Sequence, residues 1–264
     1  MSHVWLPCGL YHQGYTQDHG WWQTPLIKGK MILLLVIIFI VFPLTLTGYW
    51  FGVANMVGYT ALGALGVQVL IGYAGLITLG HAAFIAVGAY TSTLLILQFP
   101  WPQFFINWGI AYPISLIMAA IVAGLWSVLF GLPSAKVKGF YLILTTMAAQ
   151  FITVDFLITQ YVSQIGGRGQ AFSVPPGTIK IGPWVIDNEI KVYFLMAALL
   201  ALSIMVVANL LRSKVGRAWI AIRDNDIAAE TLGINIVWYK LLNFFVAGFI
   251  AGLAGAFWVS NTAA

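Results

Sequence analysis

Few side chains in this sequence can do chemistry, and their densest cluster sits in one stretch. Arg217–Ala218–Trp219–Ile220–Ala221–Ile222–Arg223–Asp224–Asn225–Asp226–Ile227–Ala228–Ala229–Glu230–Thr231–Leu232–Gly233 holds two arginines and three acids. The pattern predicts a short helix. Asp224 or Asn225 can cap its start, Asp226 favours the positive end of its dipole, and Gly233 can supply the left-handed residue that stops it. Ile227, Ala228, Ala229 and Leu232 give one apolar face. Arg223, Asp224, Asp226 and Glu230 are then left outside. A capped helix with mixed charges suits docking to another protein. Its arginines also suit the plainer task of fixing the orientation of a membrane loop.

Outside that stretch the ionisable groups are sparse. His81 is the one such group between Met31 and Ala135, a run without a single Lys, Arg, Asp or Glu. An ionisable residue in a span is a functional candidate. The alternative is a neutral imidazole bonded to a neighbouring helix. Asp155 falls near the end of another apolar run. His3, His12 and His19 lie in a polar tail, where weak metal binding is conceivable but no metal set is formed. Cys8 is the only cysteine, which excludes an intramolecular disulfide and a multi-cysteine zinc site. No paired acids, His cluster or metal set converge in the pattern, so nothing points to an enzyme. An ion-coupled secondary transporter would need intramembrane acids or bases, and Asp155 and His81 are all that is offered.

The elements that position these groups are set by solvent. Charged residues make up 7% of the chain and mean hydropathy is strongly positive. That composition predicts an all-α, polytopic membrane bundle. Residues 1–30 read as a polar tail ending in Lys28 and Lys30, and residues 31–264 as the transmembrane domain. Apolar runs predict about seven spans of roughly 20 residues. They lie near Met31–Thr47, Phe51–Tyr73, Ile77–Leu97, Ile110–Leu132, Phe140–Gln160, Val192–Leu211 and Leu241–Val259. Lys28/Lys30, Lys136/Lys138 and Arg212/Lys214/Arg217/Arg223 are separated by even numbers of spans. All three groups are therefore expected on the cytoplasmic side, with the N-terminus. The loop 161–190 then faces outward, and the charged segment 212–240 inward. The surplus of positive charge marks loops and gives no reason to expect a nucleic-acid partner.

Gly72–Tyr73–Ala74–Gly75–Leu76–Ile77–Thr78–Leu79–Gly80–His81–Ala82–Ala83 is dense in small residues. Two readings stand side by side. Glycines permit a broken helix beside a translocation path, which would place Gly72, Gly75, Gly80 and His81 on that path. Small residues also let helices pack closely with no further role.

The run from Arg217 to Gly233, with Tyr239–Lys240–Leu241–Leu242 and Ala251–Gly252–Leu253–Ala254–Gly255, resembles the permease family of branched-chain amino acid ABC importers. It is most similar to the larger permease type, with its Ile-Arg-Asp-Asn-x-x-Ala-Ala motif. The stretch Gly72 to Tyr90, Lys138–Gly139–Phe140–Tyr141–Leu142 and Gly166–Gly167–Arg168–Gly169 fit the same family. The resemblance implies a plasma (inner) membrane subunit that forms the solute pathway with a second permease subunit. Two ATPase subunits would hydrolyse ATP with Mg, and an extracytoplasmic solute-binding protein would deliver the solute. It assigns ATPase coupling to Arg223, Asp224, Asn225, Asp226, Ala228, Ala229, Glu230 and Gly233. No cofactor is expected in this chain, which has no Gly-x-x-x-x-Gly-Lys-Ser/Thr run to cradle a nucleotide. Urea or a short amide is an alternative solute within the family. Members usually continue past the position of Trp258 with further spans, so a chain ending at Ala264 is expected to be a shortened form.

Overall fold

The computed structural model describes residues 25–45, 48–135, 140–155, 180–182, 184–185 and 188–261. His3, His12, His19, Cys8, Lys136, Lys138 and the Gly166–Gly169 run fall outside these residues. Contacts divide the chain into two units, Met1–Trp50 and Phe51–Ala264. In the first, helix α1 (Pro25–Val36) passes through a π turn (Ile37–Val41) into α2 (Phe42–Thr45). Helix thus begins before the basic pair rather than after it.

The larger unit is a helical bundle, with α3 (Gly48–Val67) entering it. A π turn (Gln68–Tyr73) closes α3. After a non-helical stretch come α4 (His81–Leu97), the short α5 (Gln103–Asn107), α6 (Ala111–Ala135) and α7 (Phe140–Phe151). A two-stranded antiparallel hairpin, β1 (Lys180–Ile181) and β2 (Trp184–Val185), lies within the segment expected to be a loop. Then follow α8 (Glu189–Arg212), α9 (Lys214–Asp224), α10 (Asp226–Thr231) and α11 (Ile236–Asn261). Among the described residues four helices are long and apolar enough to cross a bilayer: Gly48–Tyr73, Ala111–Pro133, Glu189–Arg212 and Ile236–Val259. Shorter apolar helices cover His81–Leu97 and Tyr141–Asp155. The third expected span therefore starts at His81 instead of Ile77, and the last at Ile236 instead of Leu241.

The bundle is organised around α11, whose main partners are α6 and α4. Lipid gives helices no hydrophobic reason to associate, so contact depends on close packing and interhelical hydrogen bonds. Both occur here. Gly252 lies so close to α6 that a Cβ on it would sit 2.6 Å from the Ala123 Cβ and 2.8 Å from the Ala120 Cα. Ser127 on α6 donates its hydroxyl to the Phe244 carbonyl at 2.7 Å. Trp126 donates to Thr153 at 2.9 Å and so ties α6 to the turn that ends α7.

The two ends of the bundle are distinguished by contacts. At one end Gly182 in the hairpin donates its backbone N–H to the Gly109 carbonyl, between α5 and α6. At the other, α9 lies under the end of α3. Helix α8, about 36 Å long at 1.5 Å per residue, separates the hairpin from α9.

Gly252→Val should overpack the α11–α6 contact by about 1–3 kcal/mol. Leu202→Ala on the exposed side of α8 should change stability by no more than about 0.5 kcal/mol. Thermal unfolding of the detergent-solubilised variants checks the contrast.

Candidate functional site

The Gly-rich stretch both breaks a helix and packs closely. After Ala74 the chain leaves the helix for residues 75–80. Gly75 turns it at φ +67°, a left-handed conformation that suits glycine. Leu76 N–H then donates back to the Leu70 carbonyl at 3.0 Å, so the strand of chain doubles back alongside α3. Leu79 N–H reaches the Thr146 hydroxyl on α7 at 3.3 Å. A side chain on Gly80 would strike the Thr146 carbonyl. By His81 the chain is level with Gly66, where an added Cβ would lie 2.8 Å from the imidazole Nε2. Gly66 stands six residues before Gly72, roughly 9 Å along a helix. The segment is therefore re-entrant. Irregular backbone at that depth must be buried in protein or line a cavity.

At the inner end of this segment is a groove of about 460 Å³ between α3, α4 and α11. Tyr59, Thr60, Gly63, His81, Ala82 and Trp258 are among its walls. His81 is 6% exposed and meets Phe84 edge to face. Neither ring nitrogen has a hydrogen-bond partner, and nor does the buried Thr78 hydroxyl. The Gly63 carbonyl on the neighbouring helix α3 lies close to the ring.

At the opposite end of the segment stands the charged motif. Arg223 donates from Nη1 to the Gly72 carbonyl, and its stem covers the Gly75 turn. A cavity of about 310 Å³ beside it is bounded by Gly75, Leu76, Asp224, Asp226 and Lys240. Two helices build this corner where one was expected. Ser213 caps α9 by accepting from Val215 N–H at 3.1 Å. Trp219 anchors α9: it is fully buried and donates to the Tyr239 carbonyl on α11 at 2.8 Å. Asn225, not Asp224, caps α10, accepting from Ile227 and Ala228 N–H at 3.1 and 3.2 Å. Gly233 stops the helix at φ +82°.

Of the residues singled out in sequence, Arg223, Asp224, Asn225, Ala228, Glu230 and Gly233 are exposed, Asp226 is half-buried and Ala229 is buried. The apolar face is a correction. Ala229 alone packs inward, while Ile227 is 66% and Leu232 79% exposed. A helix of six residues is too short to bury a full stripe, and Ala229 is the residue it turns inward. Gly72 is half-buried, Gly75 exposed, Gly80 and His81 buried. The two groups meet through Arg223, a junction that sequence spacing did not reveal. Thr146 and Asn243 also went unnoticed. Asn243 donates to the Val69 carbonyl in the π turn at 3.1 Å. A lone Asn and a Lys at 240 in an apolar helix were the available signals.

Residues 49–264 match the family model described as branched-chain amino acid transport system / permease component. The chain is similar to the high-affinity branched-chain amino acid transport system permease protein LivM of Salmonella typhimurium strain LT2, at 28% identity. It is 27% identical to the protein of that name from Escherichia coli K12. Each alignment covers 89% of this chain and 58% of the relative, so the chain spans little more than half the length of the relatives it matches. No solved structure matches it.

Gly75→Ala should force a side chain into the left-handed region at a cost of about 1–2 kcal/mol and press on the Arg223 stem, 3.1 Å from the new Cβ. A lowered unfolding temperature and faster hydrogen exchange at residues 75–80 are the expected result.

Proposed function

The chain belongs to the family of branched-chain amino acid transport permease components, and from that premise we propose that it is a pathway-forming subunit of an ATP-driven importer for branched-chain amino acids. It is an integral, multi-pass membrane protein and a transport subunit rather than an enzyme. In this reading a second permease subunit completes the pathway in the plasma membrane. Two ATPase subunits hydrolyse Mg-bound ATP, and an extracytoplasmic binding protein presents the solute. The relatives' names support the solute class.

One observation carries the coupling assignment: Arg223, in the charged segment, is bonded to Gly72 at the foot of the re-entrant stretch. Helix α10 presents Ile227, Glu230 and Leu232 outward. An ATPase gripping that knob would move α10 and α9 together, since Asn225 closes the first turn of one and ends the other. Arg223 would pass the displacement to residues 75–80, whose far end is His81. Asp224, Asp226, Ala228, Ala229 and Gly233 keep the shape of the knob. Gly72, Gly75, Gly80 and His81 belong to the moving part of the path.

Arg223→Ala removes a charge-assisted hydrogen bond worth about 1.5–3 kcal/mol, so leucine uptake by the reconstituted importer should fall roughly tenfold or more. Glu230→Lys should likewise lower uptake while ATP hydrolysis continues. Uptake at the unaltered rate in both variants would overturn the coupling assignment. Uptake by this chain alone, driven by an ion gradient, would replace the importer with a secondary transporter.

A further inference from the structure

We infer that the connection between α4 and α6 is a membrane-interface anchor, a strip of aromatic rings seated in the headgroup–acyl boundary of the bilayer that holds the hairpin at that level. From Gln98 to Ile110 the chain has no Lys, Arg, Asp or Glu but five aromatic residues. Pro100 and Pro102 keep α4 from running on as one helix, and the short α5 follows. The five rings touch one after another. Phe99 and Trp101 lie 5.0 Å apart between centroids, Trp101 and Phe105 6.1 Å, Phe105 and Phe104 5.9 Å, and Phe104 and Trp108 5.0 Å. Phe99, Phe104 and Trp108 are each more than half exposed. Trp101 fixes the strip from within, donating its indole N–H to the Leu95 carbonyl at 2.7 Å. The rings therefore form one apolar surface rather than five separate side chains.

A contiguous exposed apolar patch marks a contact with a partner or a membrane. Position selects lipid. The segment joins the apolar helix α4 to α6, which is long enough to cross a bilayer, so it lies where the chain turns at one membrane face. Apolar exposure carries on into both neighbours, at Leu97 in the last turn of α4 and at Ile117 and Met118 on α6. Composition then sets the depth. Trp and Phe rings interspersed with the amides of Gln98, Gln103 and Asn107, and free of charge, favour the boundary between hydrocarbon and water. Charge enters at Lys180, exposed on the hairpin. The hairpin is bound to the strip through Gly182, whose N–H donates to the Gly109 carbonyl. A side chain on Gly109 would strike the Gly182 backbone, so the two segments touch directly. The height of the hairpin above the bilayer is thus set by how deeply the rings sit.

The test uses the full chain in vesicles of phosphatidylethanolamine and phosphatidylglycerol. Single nitroxide labels are placed by Phe104→Cys, Trp108→Cys or Lys180→Cys, each with Cys8→Ser. Collision with oxygen, which concentrates in lipid, is compared with collision with nickel ethylenediaminediacetate, which stays in water. Labels at positions 104 and 108 should favour oxygen and report a depth of about 5–10 Å inside the headgroup boundary. The label at 180 should favour the nickel complex. Phe104→Ser with Trp108→Ser should sharpen the spectrum of the label at 180 as the hairpin loses its hold. Greater access of the nickel complex at 104 and 108 would put the strip in water, as a face awaiting a protein partner, and overturn the anchor. Screening from both reagents would put it against a second copy and do the same. An unaltered spectrum at 180 in the double variant overturns the hold on the hairpin.

Discussion

The polar groups of the backbone cannot be left bare in hydrocarbon, and the stretch from Gln68 to Gly80 is where that requirement is hardest to meet. A helix that loosens into a π turn and then unwinds exposes carbonyls and N–H groups that no neighbour along the chain will satisfy. Three partners from elsewhere and one bond within the segment close them. Asn243 on α11 takes the Val69 carbonyl and Arg223 on α9 takes that of Gly72. Thr146 on α7 accepts from Leu79, and the chain itself joins Leu76 to Leu70. Helices α7, α9 and α11 are thereby fixed around one irregular segment. The rest of the bundle is arranged so that those partners arrive.

That arrangement explains why polar residues survive in such an oily chain. Asn243 is fully buried and Lys240 is 5% exposed, both on a helix otherwise built for packing. Neither lies on a lipid face, where desolvation would penalise it by several kcal/mol. They stand where α11 passes the turn and the cavity below it. The small residues of the same helix have the opposite task of bringing backbones together. Polar side chains mark the broken segment, and glycines mark the tight contacts with α4 and α6.

Much of this was legible in the sequence because solvent imposes it. The uncharged run from Met31 to Ala135 required a membrane bundle, and Asn225 and Gly233 bounded their helix from local chemistry alone. Three features escaped for physical reasons. The doubled-back course of residues 75–80 depends on a bond from Leu76 to Leu70 and on Thr146, which is far away in sequence. The junction between Arg223 and Gly72 spans two elements whose adjacency no periodicity encodes. The outward turn of Ile227 and Leu232 follows from a helix too short to bury more than Ala229, a packing fact rather than a pattern. Read by period alone, those residues looked like an inward face.

The perimeter of the bundle is uneven. Only 17% of the spanning window of α8 is covered by the rest of the chain, against 72% for α11. Leu202, Ile204, Met205 and Val206 leave a continuous oily flank on α8. Acyl chains can wet such a flank at no penalty, so α8 is held by the narrow opposite face of Val192, Tyr193, Met196, Ser203 and Val207 and by its junction with α9. A helix with one oily flank and one docked edge joins the core to the surrounding lipid.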